Sequence, residues 1–594
     1  MKYLFLVAVV FSTFYSCTAP ANKIVTSPEK NTSFNSFLDN YYESRLQLFP
    51  LEATFIGDNR FNDKLYIDIS ENERERQKTF FRTTLDSLSA FNYDSLNDND
   101  KLSYDVLHRD LSLSLEGFRF HDNYLPINQF SSLPLIIGQM AGGKSAQPFV
   151  TIKDYDNWLA RLSIFSNWLD SSIIYFRKGI DSGIVLPKSI AIKFIPQIES
   201  MIVDDVESSL FFSPLKTFPA SFGHTDKLRI TAAYKKSIAE KVTPAYKRLY
   251  TFLKNEYLPK ARSSSGVGAL PGGQEYYKYQ VRLSTTTNKS PEEIYSVGIQ
   301  EVERIKQEME LTKERVGYKG DLKSFLEYLK NDKRFMPFSK PGEILNAFHN
   351  IRGKIQPNLL RLFSDTPKTK FEIRQTEAFR AASASAEYSQ GTPDGQRPGI
   401  FYIPILDPAS FNITSGMESL FLHEAIPGHH YQISLQQENM QLPKFRRFGG
   451  NNAYVEGWAL YCESLGKELG LYTDPYQYMG ALGDEMHRAV RLVVDVAIHS
   501  KNMTREDAIR YMMNNQSISE AGATSEIERY MVWPAQALGY KIGALKISEI
   551  RMKIEKQLGS KFNIAEFHKQ VLKDGALPLD VLEKKLATWA ATVK

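Results

Sequence analysis

Cysteine is almost absent from this sequence of 594 residues. The two cysteines are Cys17, close to the N-terminus, and Cys462, and we expect no disulfide within the mature chain. A chain of this length buries a core large enough to fold without disulfides, and 42% of its residues are hydrophobic. The composition therefore excludes a small disulfide-stapled fold and predicts a large globular protein.

An excess of charge of one sign is also missing. The 73 lysines and arginines nearly balance the 68 aspartates and glutamates, which gives a formal net charge of +5. Charges of both signs are interspersed, and there is no long basic block. Nucleic-acid binding requires a concentrated basic surface, so we expect no nucleic-acid partner. The oligomeric state cannot be read from this pattern.

Long apolar runs are missing as well. After the N-terminal segment, no apolar stretch is long enough to cross a membrane. Residues 1–17 contain one lysine, an apolar run and then small residues, which is typical of a secretory signal peptide. They end at Cys17 and resemble a bacterial lipoprotein signal, in which the cysteine becomes the lipidated first residue. An ordinary signal peptide with an incidental cysteine is the alternative. The lipoprotein interpretation predicts an exported bacterial protein, anchored in a membrane through Cys17 and facing the periplasm or the cell surface.

Helical periodicity dominates the rest of the chain. Residues 290–316 open with helix-capping residues and continue with apolar residues at three- and four-residue spacing. Ser415 and Glu418 form a second capping box, which predicts that a helix begins near Gly416. Strand-like runs are few, and the clearest is GIFYIPIL at residues 399–406. We therefore predict a mainly α fold with a small β-sheet.

One loop suggests how the chain is divided. Residues 260–274 are rich in glycine, serine and proline, as is typical of a boundary between structural units. We interpret residues 18–34 as a flexible tether after the signal peptide. Residues 35–262 then form an N-terminal helical half, and residues 270–594 form a C-terminal catalytic half.

The stretch HEAIPGHH, residues 423–430, contains three histidines and one glutamate. In the zinc motif His-Glu-x-x-His, two histidines four residues apart lie on one helix face. Here Pro427 stands where the second histidine should be, and a proline inside a helix removes a hydrogen bond and kinks the helix. If the Pro-Gly pair adds two residues to the turn, His429 reaches the ligand position, whereas an undistorted helix favours His430. Spacing alone leaves both open.

A zinc hydrolase site needs a third protein ligand and keeps one position open. The candidate is Glu456, which lies 27 residues after His429 in the otherwise apolar segment NNAYVEGWALYCESLG. Glu463 follows seven residues later on the same helix face. Burying carboxylates among apolar side chains is unfavourable unless a cation or a donor meets them. This pattern predicts that a metal ion lies beside Glu456.

A polar stripe follows at residues 485–502. Arg488, Arg491, Asp495 and His499 recur at three- and four-residue spacing, so they share one face of a helix. Contacts between carboxylates and histidines commonly support metal ligands from behind. A salt-bridged helix face is the structural interpretation of the same pattern.

A second group of polar residues stands in apolar surroundings at residues 525–543. Tyr530 and Tyr540 have hydroxyl groups that can donate to a developing oxyanion. Arg529 and Lys541 can bind a substrate carboxylate. Each of these patterns alone has a structural interpretation, but the order HE…H…E on consecutive helices is more specific and favours metal binding.

These motifs together resemble a bacterial family known as domain of unknown function 885. The resemblance runs from about residue 35 to the C-terminus, and the family is grouped with the gluzincin-type zinc metallopeptidases. The matching motifs are H-E-x-x-P-G-H, E-G-W-A-L-Y-x-E, R-L-V-V-D…H and P-x-Q-A-L-x-Y-K-I-G, with FPLEATFIGD, LPGGQEYY at 270–277 and DGQRPGIFYI at 394–403.

By position, the resemblance implies that His423, His429 and Glu456 bind Zn²⁺ and that Glu424 is the general base. It favours His429 over His430 as the second ligand. It also implies a large helical metallopeptidase-like body around a deep channel, like the oligopeptidase and angiotensin-converting-enzyme relatives, with a small β-sheet next to the zinc-site helices.

The strand GIFYIPIL would then lie at the edge of that sheet, where an extended peptide substrate adds as a further strand. The remaining expected roles complete the site. Tyr540, or alternatively His499 or Tyr530, donates to the oxyanion; Arg529, Lys541, Arg397 and Tyr402 bind substrate; and Glu463, Asp495 and His430 support the ligands from behind.

The function that follows is a zinc-dependent peptide hydrolase of carboxypeptidase, dipeptidase or oligopeptidase type. One alternative is an inactive lipoprotein that binds metal. Glu424 argues against it, because zinc binding alone does not require this residue. The other alternative is a zinc hydrolase of a non-peptide or cell-wall amide, which the sequence leaves open.

Overall fold

The structure is a computed structural model that describes residues 32–593 except 144, 378–380 and 382–384. The predicted signal peptide with Cys17, and the predicted tether up to residue 31, lie outside the described residues. Helix α1 begins at Thr32. None of the described helices has the length and apolar character needed to cross a membrane.

Helices make up most of the described chain, which confirms the prediction of a mainly α fold. Two short π-helical segments, Ile238–Val242 and Leu253–Tyr257, extend the last helix of the first half. The helices of this half are α1 (Thr32–Leu48), α2 (Pro50–Phe55), α3 (Glu71–Ser89), α4 (Asp98–Gly117), α5 (Leu133–Ala141), α6 (Ile152–Ser182), α7 (Lys188–Glu199), α8 (His224–Ser237) and α9 (Thr243–Phe252).

The second half contains the helices that carry the predicted site. Its first long helix, α11, begins at Pro291 after the predicted cap, and Ser290 and Glu293 form a capping box there. The helices are α10 (Gly273–Thr285), α11 (Pro291–Arg315), α12 (Leu322–Asn331), α13 (Pro341–Leu362), α14 (Met417–Glu424), α15 (His429–Glu438), α16 (Lys444–Arg447), α17 (Asn452–Ser464), α18 (Gly466–Leu469), α19 (Pro475–Ser500), α20 (Arg505–Asn515), α21 (Glu520–Val532), α22 (Leu538–Leu558), α23 (Ile564–Leu572) and α24 (Leu579–Thr592).

The described β-sheet has three strands, β1 (Phe371–Gln375), β2 (Glu387–Ser389) and β3 (Gly399–Ile403), in the order β1-β3-β2. Strand β3 is parallel to β1 and antiparallel to β2. It is therefore the central strand, and its backbone donors and acceptors are taken up on both sides. The prediction that this strand lies at the sheet edge is wrong, and β1 and β2 are the outer strands of the sheet in the described part of the chain.

Two large apolar clusters form the core. The first joins the N-terminal helices to α19 and α21, with Trp158 and Val493 among its buried side chains. The second joins the sheet to α13, α14, α17 and the last helices, with Phe401 and Trp458 fully buried. The first cluster thus contains residues from both sides of the predicted boundary between residues 262 and 270. The division of the chain into two halves stays a prediction.

Helices α17 and α22 approach each other unusually closely. A Cβ atom added at Gly457 would lie 2.5 Å from the Cα of Gly543, and one added at Gly543 would lie 2.0 Å from the backbone oxygen of Ala453. Only glycine permits this backbone contact. Since Glu456 precedes Gly457, the contact fixes where the predicted third ligand lies.

We expect Gly543→Ala to lower the stability of the protein, because the new methyl group would overlap the backbone of α17. Overpacking of this kind costs about 1–3 kcal/mol. The matched control is Gly353→Ala in α13, where an added Cβ would meet nothing within 4 Å. That change should be neutral or stabilise the helix by roughly 0.5–1 kcal/mol. Thermal unfolding measures both, and equal melting temperatures for the two variants would contradict the close packing.

Candidate metal centre

His423 and His429 meet because the chain leaves one helix and starts another between them. Helix α14 ends at Glu424, and α15 begins at His429. A Cβ atom at Gly428 would lie 1.9 Å from the backbone oxygen of His423, so the chain folds back tightly over α14. The indole N–H of Trp458 donates to the backbone oxygen of Pro427 at 2.9 Å. The predicted single kinked helix is thus two helices joined by a turn, with a cis peptide bond before Pro427.

Helix α14 begins where the sequence predicts, but the predicted capping box is wrong. Its N-cap is Gly416, at φ 83°, and no side chain caps the helix. The Glu418 carboxylate instead accepts the backbone N–H of Tyr472 at 2.8 Å and lies 3.3 Å from the Lys354 ammonium. Glu418 therefore ties the helix that carries His423 to neighbouring segments.

The side chains of His423, His429 and Glu456 converge on one point. Their ligand atoms lie within 4.8 Å of one another. The Nε2 atoms of His423 and His429 are 3.4 and 3.5 Å from the same oxygen, Oε2 of Glu456. The imidazole rings are almost perpendicular, with centroids 4.8 Å apart. Two imidazoles and a carboxylate from three helices form a donor set that suits zinc.

The electrostatics of this group favour a bound cation. Burial alone would lower the pKa of His423, but the carboxylates of Glu456 and Glu463 raise it to about 10. Burial would raise the pKa of Glu456, but His423 and His429 hold it well below its usual value. The Nδ1 of His429 and the Oε2 of Glu463 are buried and lack a hydrogen-bond partner in the described part of the chain. A divalent ion between the imidazoles and Glu456 fits this excess of negative charge.

Glu463 lies behind His423. Its Oε1 is 2.7 Å from Nδ1 of the imidazole, so a proton held there leaves Nε2 free to face Glu456. A carboxylate in this position orients a metal-binding histidine and increases its basicity. The contact is the one that the sequence predicts for Glu463.

His430 points away from the converging group. Its Nδ1 is 3.0 Å from the hydroxyl of Tyr388 in β2, and its ring lies against Phe371 of β1, with centroids 4.8 Å apart. Burial lowers its pKa to about 4. The structure therefore brings His429, and not His430, to His423, and His430 contacts the sheet instead of supporting a ligand.

Glu424 is the last residue of α14 and follows His423 directly. Its side chain is partly exposed, and none of the hydrogen bonds among the described residues involves its carboxylate. Tyr540 is similar, since it is half-buried and its hydroxyl has no described partner. The guanidinium of Arg491 lies over the Tyr540 ring, 4.8 Å from its centroid. Both residues thus have polar groups that remain available to a substrate.

The other two predicted oxyanion donors are fully engaged and buried. The Tyr530 hydroxyl accepts the Nε–H of Arg491 at 2.9 Å and donates to the Glu526 carboxylate. Nδ1 of His499 accepts the backbone N–H of Val267 at 3.0 Å, and its Nε2 lies 3.0 Å from the backbone oxygen of Tyr530. Burial lowers the pKa of His499 to about 3, so its ring is neutral. Neither placement is compatible with the predicted catalytic role.

Asp495 does not support a ligand, contrary to prediction. Its carboxylate accepts the hydroxyl of Tyr277 at 2.6 Å and the backbone N–H of Ala535 at 3.1 Å. Ala535 has a φ of 65°, which is rare for a residue with a side chain. Asp495 therefore stabilises a strained turn between α21 and α22.

Among the basic residues predicted to bind substrate, Lys541 forms ion pairs within the protein. It is buried, and its ammonium lies 2.8 Å from Glu301 and 2.6 Å from Glu485. The predicted role in binding a substrate carboxylate is not compatible with these two ion pairs. Arg529 remains partly exposed, and it donates to the side chain of Gln536 at 2.6 Å.

The two predicted substrate ligands near the sheet lie apart from each other. Arg397 is exposed in the turn between β2 and β3, where its backbone N–H donates to Thr392 at 3.0 Å. Tyr402 is half-buried in the central strand, opposite Arg374 of β1 and Glu387 of β2. Neither belongs to the group formed by the candidate metal ligands.

One charged cluster, centred on Glu526, was not predicted from the sequence. Arg491, His487 and Arg529 lie 3.0, 3.5 and 3.4 Å from the Glu526 carboxylate, which also accepts the Tyr530 hydroxyl. Arg491, Arg529 and Tyr530 belong to the predicted groups, whereas Glu526 and His487 do not. Spacing within one helix does not reveal which charges meet across two helices.

The chain is similar to other bacterial proteins in sequence and in fold. The model of a family described as bacterial protein of unknown function (DUF885) matches residues 50–586. A proposed lipoprotein from Colwellia psychrerythraea is 28% identical, with a TM-score of 0.86 over 94% of this chain and 99% of its own. A proposed lipoprotein of unknown function from Shewanella oneidensis is 20% identical, with a TM-score of 0.73 over 93% and 99%. No curated protein matches the sequence.

We expect His429→Gln to lose bound zinc and His430→Gln to keep it, because His429 faces Glu456 and His430 does not. Each variant is loaded with zinc, desalted and measured by elemental analysis against the unchanged protein. The two changes are chemically identical and one residue apart, so each is the control for the other. Zinc retained by His429→Gln, or lost equally from both variants, would remove His429 from the site.

Glu463→Gln should weaken zinc binding by about 10- to 100-fold, which is typical for loss of a carboxylate behind a histidine ligand. Asp495→Asn makes the same chemical change at a buried carboxylate that contacts no candidate ligand. It should lower thermal stability and leave zinc affinity unchanged. Competition with a fluorescent chelator measures affinity, and equal losses in both variants would contradict the contact between Glu463 and His423.

Proposed function

The chain belongs to the DUF885 family of bacterial proteins, and we propose that it is a zinc-dependent peptide hydrolase. The observation that carries the proposal is the convergence of two imidazole Nε2 atoms on one carboxylate oxygen, at 3.4 and 3.5 Å. Glu424, adjacent in sequence to one of these histidines, supplies an acid–base group that metal binding alone does not require.

Zn²⁺ is the ion that we propose for His423, His429 and Glu456. Histidine and glutamate ligands of this number are those of hydrolytic zinc sites, which keep one further position open. A bound zinc ion would supply Lewis acidity, which activates water and polarises a carbonyl group. Glu463 holds the proton of His423 on Nδ1 and so presents Nε2 for binding.

Glu424 acts as the general base in this proposal. Its carboxylate accepts a proton from the attacking water and then delivers it to the nitrogen of the leaving amine. A partly exposed carboxylate without a bonded partner in the described residues can contact a water molecule without breaking a structural contact. This property supports the role.

Tyr540 donates a hydrogen bond from its hydroxyl to the developing oxyanion. The stacking of Arg491 on its ring supports this role, because it restricts the orientation of the phenol. Of the three predicted donors, Tyr530 and His499 have their polar atoms bonded to other groups. That leaves Tyr540 as the donor we propose.

Arg529 is the basic group that we propose for the substrate's terminal carboxylate. It is partly exposed, and Gln536 and Glu526 hold its guanidinium. Recognition of a terminal carboxylate would make the enzyme a carboxypeptidase or a dipeptidase. An oligopeptidase would bind internal peptide bonds and would not depend on this arginine.

We also propose that the protein is a lipoprotein anchored through Cys17, exported and facing the periplasm or the cell surface. The signal-like sequence before Cys17 supports this. So do the names of the two similar proteins from Colwellia and Shewanella, which are proposed lipoproteins.

Glu424→Gln should reduce peptide hydrolysis by about 10²- to 10⁴-fold, the usual range for loss of a general base. Zinc content should not change, because Glu424 is not a ligand. Hydrolysis is followed with a library of fluorogenic peptides and with a cell-wall amide, before and after zinc is removed with a chelator. Activity should disappear with the metal and return when zinc is added.

The control is Glu468→Gln, which changes a glutamate of α18 that pairs with Arg551 at 2.9 Å. This variant should hydrolyse peptides at the unchanged rate. If zinc-loaded protein cleaves the cell-wall amide and none of the peptides, the peptidase assignment is wrong. If it cleaves neither, the alternative of an inactive metal-binding lipoprotein gains support.

A further inference from the structure

A cavity of about 760 Å³ lies between the N-terminal helices and the start of α17. Its wall includes Asn452, which is one helical turn before Glu456 and therefore on the same face of α17. Glu456 is also the most open of the three candidate ligands, with 21% of its side chain exposed against 5% for His423 and 11% for His429. Asn452 thus joins the wall of the cavity to the helix face that carries Glu456.

Exposed aromatic side chains are concentrated in this cavity. Four phenylalanine and tryptophan side chains are strongly exposed in the described part of the chain, and Phe55, Phe448 and Trp533 all line it. The fourth, Phe130, lies elsewhere. Ile56 and Leu283, which are also exposed, belong to the same wall. Exposed apolar surfaces on concave sites are typical of ligand binding.

The aromatic wall is held rigidly against the helix of Glu456. Trp533 begins the turn that Asp495 fixes through the backbone N–H of Ala535. Three residues later, Gln536 accepts from the Asn452 side-chain amide with its backbone oxygen at 2.9 Å and donates to the Asn452 side-chain oxygen at 3.2 Å. These bonds within the protein fix the segment that carries Trp533.

The cavity wall also includes the carboxylate of Asp110. Asp110 is exposed to the cavity and takes part in no ion pair or hydrogen bond among the residues described. Arg45 and Arg109 are the cations that act on this carboxylate, but Arg45 binds Glu52 at 2.8 Å and Arg109 donates to a backbone oxygen at 2.9 Å. Desolvation by the surrounding cavity wall raises the pKa of Asp110 to about 6, although Arg109 and Arg45 act in the opposite direction. A cationic group of a ligand could pair with the carboxylate of Asp110.

We propose that this cavity binds the peptide substrate, with an apolar side chain against Trp533 and Phe448 and a positively charged group at Asp110. The inference rests on the proposed peptidase function and extends it, because it names the class of substrate. The charged group is either the N-terminal amine of the peptide or a lysine or arginine side chain. Either source satisfies the same carboxylate.

Binding is measured by calorimetry on the full-length, zinc-loaded Glu424→Gln protein, so that the peptide is not cleaved. The probes are tetra-alanine and its four single-phenylalanine derivatives. The best phenylalanine peptide should bind about tenfold or more tightly than tetra-alanine, as burial of an aromatic side chain implies. Adding Trp533→Ala should remove this preference, whereas adding Phe130→Ala, at the exposed phenylalanine outside the cavity, should leave it unchanged.

The role of Asp110 is tested with two further changes to the best peptide. Acetylation removes its N-terminal amine, and replacement of one alanine by lysine or by methionine adds a side chain with or without charge. One of these charges should strengthen binding about tenfold or more, and Asp110→Asn should abolish that gain. If neither charge matters, or if the gain survives Asp110→Asn, Asp110 is not the cation site.

The test separates this inference from the proposed function. If peptides bind with the expected preference but the unchanged protein cleaves none, the peptidase proposal fails and the cavity is still the binding site. Hydrolysis with a phenylalanine preference that survives Trp533→Ala, or with no such preference, overturns the inference alone. Circular dichroism and thermal melting confirm that each variant is folded, and Phe448→Ala repeats the test at another aromatic residue of the wall if Trp533→Ala does not fold.

Discussion

Two carboxylates flank the buried imidazole of His423, and most of the site's architecture follows from them. Glu456 lies on one side at 3.4 Å and Glu463 on the other at 2.7 Å. Seven residues separate these glutamates on one helix, so a single element supplies both charges. Buried negative charge of this density is unfavourable without a cation. The fold maintains it through the glycine contact between α17 and α22, which is closer than most helix pairs allow.

Much of this centre could be predicted from the sequence, because its chemistry is carried by residues that are unusual where they stand. A glutamate in an apolar helix, as at Glu456, requires a cation or a hydrogen-bond donor beside it. The turn between His423 and His429 was harder to predict. Proline indicated that the helix is interrupted, but the choice between His429 and His430 depends on how the chain returns over α14. That return is set by tertiary contacts such as the one from Trp458 to the backbone of Pro427.

The residues that were wrongly predicted share a physical cause. Helical periodicity shows that Asp495, His499 and Lys541 lie on particular faces, but it does not show which partner lies opposite. In the structure each meets a polar group of a different segment: Asp495 meets Ala535, His499 meets Val267 and Lys541 is paired with two glutamates. The central position of β3 was unpredictable for the same reason, since strand order depends on distant pairing.

These structural polar groups still serve the site indirectly. Asp495 and His499 join the turn at Ala535 and the loop at Val267 to the same face of α19. That turn carries Trp533 into the cavity and presents Gln536 to the first turn of α17. Chemistry and support are therefore divided between helices: α14, α15 and α17 bring the candidate metal ligands together, and α19 fixes the segment that a substrate would contact. A polar stripe in an apolar helix is thus compatible with either role, and only its partners across the interface decide between them.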